Sequence, residues 1–238
     1  LHILKDIAMN LYKIAVYMLL ALLGLGCSDD DNFTLPAITP EASGTFTDER
    51  DGFEYHWVRI GGKDWMMENS HYKIDDQTKC RFYVDYAHSG EGNPEDKFSE
   101  KYGFLYTRQG ALEAVPEGWR LPSDEDWKEL EQALGMSRAE ADELDWRGDV
   151  SGALMKQTNE GAMLGFQMAG YYTPYMIMAT PGYRFIGTYG FYWTTRDDSK
   201  EGEYYYYRKL YYDSSQVYRQ SMEAEAEMLS VRFVRDVK

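Results

Sequence analysis

The chain has 238 residues, of which 44% are apolar and 16% aromatic, enough for a packed core and against global disorder. Forty acidic residues against 25 basic ones leave a formal charge of −15. That field repels phosphate backbones and anionic lipid, so nucleic acid is not an expected partner, whereas cations, basic surfaces and neutral sugars are compatible with it.

Residues 1–43 read as an export and anchoring segment. Met9, Asn10 and Lys13 make a short, mildly basic start, preceded by residues 1–8. The apolar run 14–23 is shorter than the roughly 20 residues that a membrane-spanning helix needs. It has the length of a signal-peptide core. Gly24 and Gly26 place small residues before Cys27, and Leu23 stands one position earlier than the usual leucine. The pattern resembles a bacterial lipobox, which implies that Cys27 is acylated and becomes the mature N-terminus. "CSDDDN" resembles the acidic tether of Bacteroidetes-type lipoproteins, which implies the outer face of the outer membrane. The expectation is a lipoprotein signal peptide over 1–26, with Met9 as the true start, and a lipidated, acidic, flexible tether over 27–43. One disulfide between Cys27 and Cys80 is arithmetically available. With Cys27 lipidated, Cys80 is left as a small buried hydrophobe.

From Gly44 the pattern is strand-like. A short strand, a turn at 48–52 and a strand with Phe53, Tyr55 and Trp57 on one face are predicted, and Gly61-Gly62 turns into a strand holding Trp65 and Met67. Residues 70–101 read as polar loop, with a short strand over 80–86. A strand through Tyr106 and a helical turn follow. "GWRLPSDEDWKELEQALGM" is the clearest local signal. Ser123 is a good N-cap, and Asp126 completes a capping box with a shorter acid than usual. Asp124, Glu125 and Asp126 put negative charge on the positive helix end. Trp127, Leu130 and Leu134 form an apolar stripe, and Gly135 is a natural stop. Ser137 with Glu140 repeats the cap for a second helix ending near Gly148. Thereafter glycine-punctuated aromatic runs predict strands, "EYYYYRKLYYDSSQVYRQ" a hairpin around 213–215, and "LSVRFVRD" a closing strand with Leu229, Val231 and Phe233 on one face. Two helices among many short strands give an α+β domain.

Seven stretches then fall in order: "GGKDWMMEN", "YGFLYT", "PEGWRLPSDEDWKELEQALG", "GFQMAGYY", "GTYGFYWTTR", the tyrosine hairpin and "SVRFVRD". Together they resemble the Fibrobacter succinogenes major paralogous domain, over about residues 46–238 of a domain taken as 44–238. Asp126 stands where that pattern usually has glutamate, and Phe233 where cysteine is common, so a terminal disulfide is not available. "GWRLPSDEDW" also resembles a segment of formylglycine-generating enzymes. This implies a C-type-lectin-like α+β domain of mixed short strands with two short helices and long loops. The oxidase activity of those enzymes needs late cysteines; this chain has none after Cys80, so that activity is not expected.

No zinc cluster, nucleophile elbow or phosphate loop is visible; His2, His56, His71 and His88 are scattered and read as surface or core residues. Glu68 reads as a brace between loop and sheet, and as the candidate acid should the domain be a carboxylate-dependent glycoside hydrolase. Calcium is compatible with the many oxygen ligands. The sugar-site motifs of C-type lectins are not matched by "GNPED" or "YWTTRDD", however, so no cofactor or metal site is assigned. The acids of "DERD" and "RDDSKEGE" read as solvated loops. Trp65, Asn69, Trp119, Ser123, Trp127 and Trp193 are expected to be structural. Tyr205, Tyr207, Tyr212, Tyr218 and Arg208 are the candidate ligand-binding residues, because tyrosine offers a flat apolar surface with a polar handle. The expected function is a non-catalytic binding or adhesion module for glycan or surface protein. It would be held to the membrane by its lipid anchor alone. A structural or tip subunit of a surface assembly is the other non-enzymatic reading.

Overall fold

In chain order the strands are β1 (Ala42–Thr47), β2 (Glu54–Ile60), β3 (Lys63–Met66), β4 (Cys80–Arg81), β5 (Leu105–Tyr106) and β6 (Asp145–Arg147). They continue with β7 (Ala169–Tyr172), β8 (Tyr183–Ile186), β9 (Tyr189–Arg196), β10 (Tyr204–Tyr211), β11 (Val217–Glu223) and β12 (Val234–Asp236). The helices are α1 (Pro94–Tyr102), α2 (Arg108–Glu113), α3 (Asp124–Ala133), α4 (Arg138–Asp142) and α5 (Ser151–Met155). The structure, a computed structural model, describes residues 35–84, 94–158, 161–175, 182–223 and 226–237. Cys27 and its flanks, His2 and His88 lie outside the described residues.

Three sheets organise the domain. One has the order β1-β2-β3-β12 and is antiparallel throughout. The second runs β6-β11-β10-β9-β7-β8, antiparallel except where β7 lies parallel to β9. β4 and β5 form a separate pair. Short helices among mixed strands make this an α+β domain. Gly61 and Gly62 both have positive φ, +62° and +72°, the geometry of a tight two-residue hairpin turn. β2 and β3 pair across it as the sequence predicts.

Helix α3 is the keystone. Ser123 Oγ accepts from the Asp126 amide at 3.0 Å, and the Asp126 carboxylate accepts from the Ser123 amide at 2.6 Å, closing the capping box. Gly135, at φ +99°, ends the helix. Trp127, Leu130 and Leu134 are fully buried. Trp127 meets Trp65 of the first sheet at 5.3 Å and Tyr192 of the second at 5.9 Å, so one indole joins both sheets. A second core cluster gathers Tyr55, Met66, Tyr106, Trp119, Trp193, Leu229, Val231 and Phe233.

Four predicted elements are corrected. Residues 70–101 are not all loop, because α1 occupies Pro94–Tyr102. Its sequence is almost wholly polar, and its apolar signal reduces to Phe98 and Tyr102, one turn apart with ring centroids 6.5 Å from each other. The strand expected over 80–86 stops at Arg81, which pairs with Leu105, the first residue of β5. The helix capped by Ser137 ends at Asp142, and β6 follows because Trp146 pairs with the distant Tyr218. The closing strand shrinks to β12; Leu229, Val231 and Phe233 still share one core cluster, but Ser230, Arg232 and Val234 between them are equally buried.

Candidate functional site

Strand side chains alternate between faces, and in β10 the alternation separates two chemistries. Arg208 and Leu210 point inward with Tyr192 of β9 and Val217 and Arg219 of β11. Arg208 is completely buried. Its Nε donates to Glu131 Oε1 and its Nη1 to Asp124 Oδ1, each at 2.7 Å. Arg219 Nη2 donates to Asp124 Oδ2 at 2.7 Å, and Arg147 Nη2 to Glu131 Oε2 at 2.6 Å. Burial pushes the Asp124 carboxyl up, but Arg219 and Arg208 outweigh it and hold the group below the ordinary carboxylate range. The expectation that Arg208 belongs to the ligand-facing surface is therefore corrected. It ties β10 to α3 as Arg219 ties β11, and its parity, not its neighbours in sequence, decides its face.

The opposite face carries Tyr205, Tyr207, Lys209 and Tyr211. Tyr218 joins them by its pairing with Lys209. Trp146 of β6, Tyr189 and Phe191 of β9, and Tyr171 of β7 extend the surface across the sheet. The rings form a nearly continuous pavement. Tyr189 and Tyr211 stack at 4.9 Å, Tyr171 and Phe191 lie at 5.0 Å, Tyr207 and Tyr218 at 5.9 Å, and Phe191 and Tyr207 at 6.3 Å. Lys209 sits amid them, its Nζ 3.7 Å from the Tyr218 ring centroid and 5.0 Å from that of Trp146. Burial lowers its pKa from the ordinary lysine value.

At one end of this pavement lies a cleft of about 410 Å³. Tyr171, Tyr175, Phe185, Phe191 and Tyr207 supply its rings, and Thr173 and Glu227 its polar groups. Tyr175 and Phe185 are 51% and 47% exposed, which is unusual for rings of this size and leaves apolar area available to a partner. On β9, opposite Tyr207, the same sheet face is covered. Trp193 is fully buried there and its Nε1 donates to the Tyr106 carbonyl at 2.7 Å.

Of the sequence-derived ligand candidates, Tyr207 lines this cleft and Tyr205 packs at its edge against the second core cluster. Tyr218 lies on the pavement away from the cleft. Tyr212 is 56% exposed, follows the end of β10 and meets the Tyr211 ring edge-on at 4.8 Å. The sequence reading missed Tyr171, Phe185 and Phe191 as cleft residues, and Trp146 and Lys209 as pavement. The signal for Phe191 was available, since it occupies the same face as Tyr189 in "YGFYW". Tyr171 and Phe185 come from strands whose order in the sheet the sequence does not reveal.

The residues expected to be structural are deeply placed. Trp65 is buried against Trp127, and Trp119 packs 5.6 Å from Phe46 beneath the Arg235 guanidinium. Asn69 Nδ2 donates to the Tyr102 carbonyl at 2.9 Å, while its Oδ1 accepts from Arg232 Nε and Nη2 at 3.2 and 3.1 Å. Arg232 is itself fully buried and donates further to the carbonyls of Met66, Leu164 and Gly165. Two of the seven stretches, "WMMEN" and "SVRFVRD", thus meet at one hydrogen-bonded knot.

Glu68 Oε2 accepts from the His56 amide at 2.8 Å and Oε1 contacts His56 Nδ1 at 2.9 Å, the brace the sequence predicts. His71 is stacked on Phe53 at 4.0 Å, and burial, with Arg232 nearby, drives its pKa down to about 4. Cys80 is a buried free thiol with its pKa pushed up to about 12 by burial. Two acids expected in solvated loops are instead buried. Asp48 pairs with Arg50, and Asp197 accepts from Ser199 and Ser221. Among the described residues no group of three or more His, Cys, Asp or Glu stands together as a metal site. No described helix is long and apolar enough to cross a membrane.

Comparison with curated proteins and with solved structures gives no significant match. A family model described as Fibrobacter succinogenes major domain matches residues 58–235, more than half of the chain. The matched span runs from within β2 to β12 and so takes in α3 with its capping box, the Asn69–Arg232 knot and the whole six-stranded sheet. The chain belongs to the Fibrobacter succinogenes major domain family.

Proposed function

We propose that this domain is a non-catalytic binding module whose ligand is a glycan, received on the aromatic face of the six-stranded sheet. The observation that carries the reading is the cleft walled by Tyr171, Phe185, Phe191 and Tyr207. Half-exposed rings that face outward offer flat apolar surface to the C–H faces of sugar rings, and the adjoining Thr173 and Glu227 offer hydrogen-bonding groups to hydroxyls. The net charge of −15 is no obstacle to a neutral sugar. Acylation of Cys27, with the residues just after it as a tether, would hold the module outside the outer membrane; Leu35 and Ile38 already pack on the core, and Ala42 and Ser43 belong to β1. A C-type-lectin-like fold belongs to the same proposal and rests on the "GWRLPSDEDW" resemblance.

The test is binding of the full chain to an array of neutral and acidic glycans, with Tyr171→Ala and Phe191→Ala beside the parent. Each substitution is expected to weaken binding at least about tenfold while leaving the fold cooperative. Unchanged binding in both variants, or no glycan bound by the parent, overturns the reading. One observation favours a second reading, a subunit of a surface assembly. The pavement continues from Tyr207 through Tyr218 to Trp146, well past a single cleft. Recovery of the chain from membranes with a stoichiometric partner, abolished by Trp146→Ala but not by Tyr171→Ala, would support it.

A further inference from the structure

Next to the aromatic cleft lies a second one, of about 370 Å³, in which Arg108 is the principal cation. Tyr205 and Ala226 border it, as Tyr207 and Glu227 border the first. Tyr205 and Tyr207 share one face of β10 two residues apart, about 7 Å along the strand. The clefts are therefore neighbours along one line.

Arg108 is half-buried and differs from the fully buried arginines of this domain. Arg208 and Arg147 are matched by carboxylates, and Arg232 by carbonyls and Asn69. Arg108 has neither. Its Nε and Nη1 are shielded from solvent with no hydrogen-bond partner among the described residues, and the Tyr205 ring centroid lies 4.9 Å from the guanidinium carbon. The other charged groups lining the cleft are already engaged. Lys79 Nζ donates to Glu113 at 2.7 Å, and Glu203 accepts from Tyr205 Oη at 2.5 Å. Thr78, Thr107 and Gln109 add neutral polar groups. A guanidinium partly stripped of water and lacking an anion is costly on its own and strongly favours one when offered.

We propose that the Arg108 cleft is a carboxylate subsite, and that the preferred ligand is an acidic glycan with a uronate ring. This rests on the glycan reading of the aromatic cleft. A sugar on Tyr207 would direct a neighbouring ring past Tyr205, where its carboxylate meets Arg108. The whole-chain charge opposes anions at long range, so the subsite supplies selectivity on contact and not attraction from a distance. An acidic peptide would satisfy Arg108 equally but would leave the flat rings beside it without a matching surface.

The experiment is calorimetry on the full chain with tetramers of galacturonate, glucuronate and mannuronate, each beside its methyl ester, and with a tetraglutamate peptide. The ester keeps the ring and removes the charge. At least one acid is expected to bind about tenfold or more tighter than its ester, the range of a charge-assisted hydrogen bond. Arg108→Gln should erase that difference and leave ester binding in place, which doubles as evidence of folding. Arg108→Lys should restore part of it. Equal binding of acid and ester overturns the subsite and leaves the glycan reading standing. Failure of every acid and ester overturns both for these sugars, and tighter binding of tetraglutamate than of any uronate overturns the glycan assignment of the subsite.

Discussion

The two faces of β10 and β11 are made from adjacent residues and could hardly differ more. Inward, Arg208, Arg219 and Arg147 share Asp124 and Glu131 in a dry network against α3. Outward, ring stacks on ring, and Lys209 is held by aromatic faces. Buried ion pairs are weak evidence for stability, yet removing one partner strands the other and is strongly destabilising. Exposed aromatic pairs contribute little each and tolerate loss. The inner face is therefore committed to the fold, and the outer face is free for recognition.

The sharpest way to break this contrast is Arg208→Leu. It leaves Glu131 with Arg147, and Asp124 with Arg219 and, at 3.5 Å, Lys128. A loss of about 3–5 kcal/mol is expected, read as a lower urea midpoint. A loss below about 1 kcal/mol would mean that the inner network is ornamental and the two faces are alike. Arg232→Met comes next. It removes the donors from Asn69 Oδ1 and three buried carbonyls, and about 3 kcal/mol is expected by the same measurement.

How far the sequence foretold this division can be read residue by residue. The cap at Ser123, the stripe through Leu134 and the Gly61-Gly62 turn depend on neighbours within a few positions, and all three stand as predicted. The tyrosine hairpin was equally legible. Arg208 was not, because its role depends on Asp124 and Glu131, 84 and 77 positions away. Strand parity alone would have separated it from Tyr205 and Tyr207, which lie on odd positions while it lies on an even one. The cleft itself was hidden. Tyr171 and Phe191 meet only because β7 runs parallel to β9, a pairing that no local pattern announces.

His71 supplies a pH-dependent test that involves neither face of the sheet. Its folded pKa, about 4, lies below the ordinary 6.5, with burial the larger cause and Arg232 the second. The unfolded chain therefore takes up a proton at higher pH than the folded one does. Stability from this residue is fully present above pH 6.5 and is lost as pH falls toward 4. About 2 kcal/mol should disappear between pH 7 and 4.5. His71→Phe, which can keep the stack on Phe53, should flatten the urea midpoint across that window. An unchanged slope would remove His71 as the cause. Ser123→Ala is smaller still, about 1 kcal/mol from the lost N-cap, and should leave glycan binding unaltered.

The smallest expected change in stability belongs to the outer face and tests the contrast most finely. Tyr212 is more than half exposed and does not line the cleft, whereas Tyr207, on the same hairpin, does. Tyr212→Ser should shift the urea midpoint by no more than about 0.5 kcal/mol and should change glycan affinity less than twofold. Tyr207→Ala should cost somewhat more stability, since its ring packs toward Trp193, Phe191 and Tyr218. Its larger effect should fall on binding, at least about tenfold. Equal binding losses in the two variants would mean that ligand is held by the hairpin tip and not by the cleft. The recognition surface would then move off the sheet.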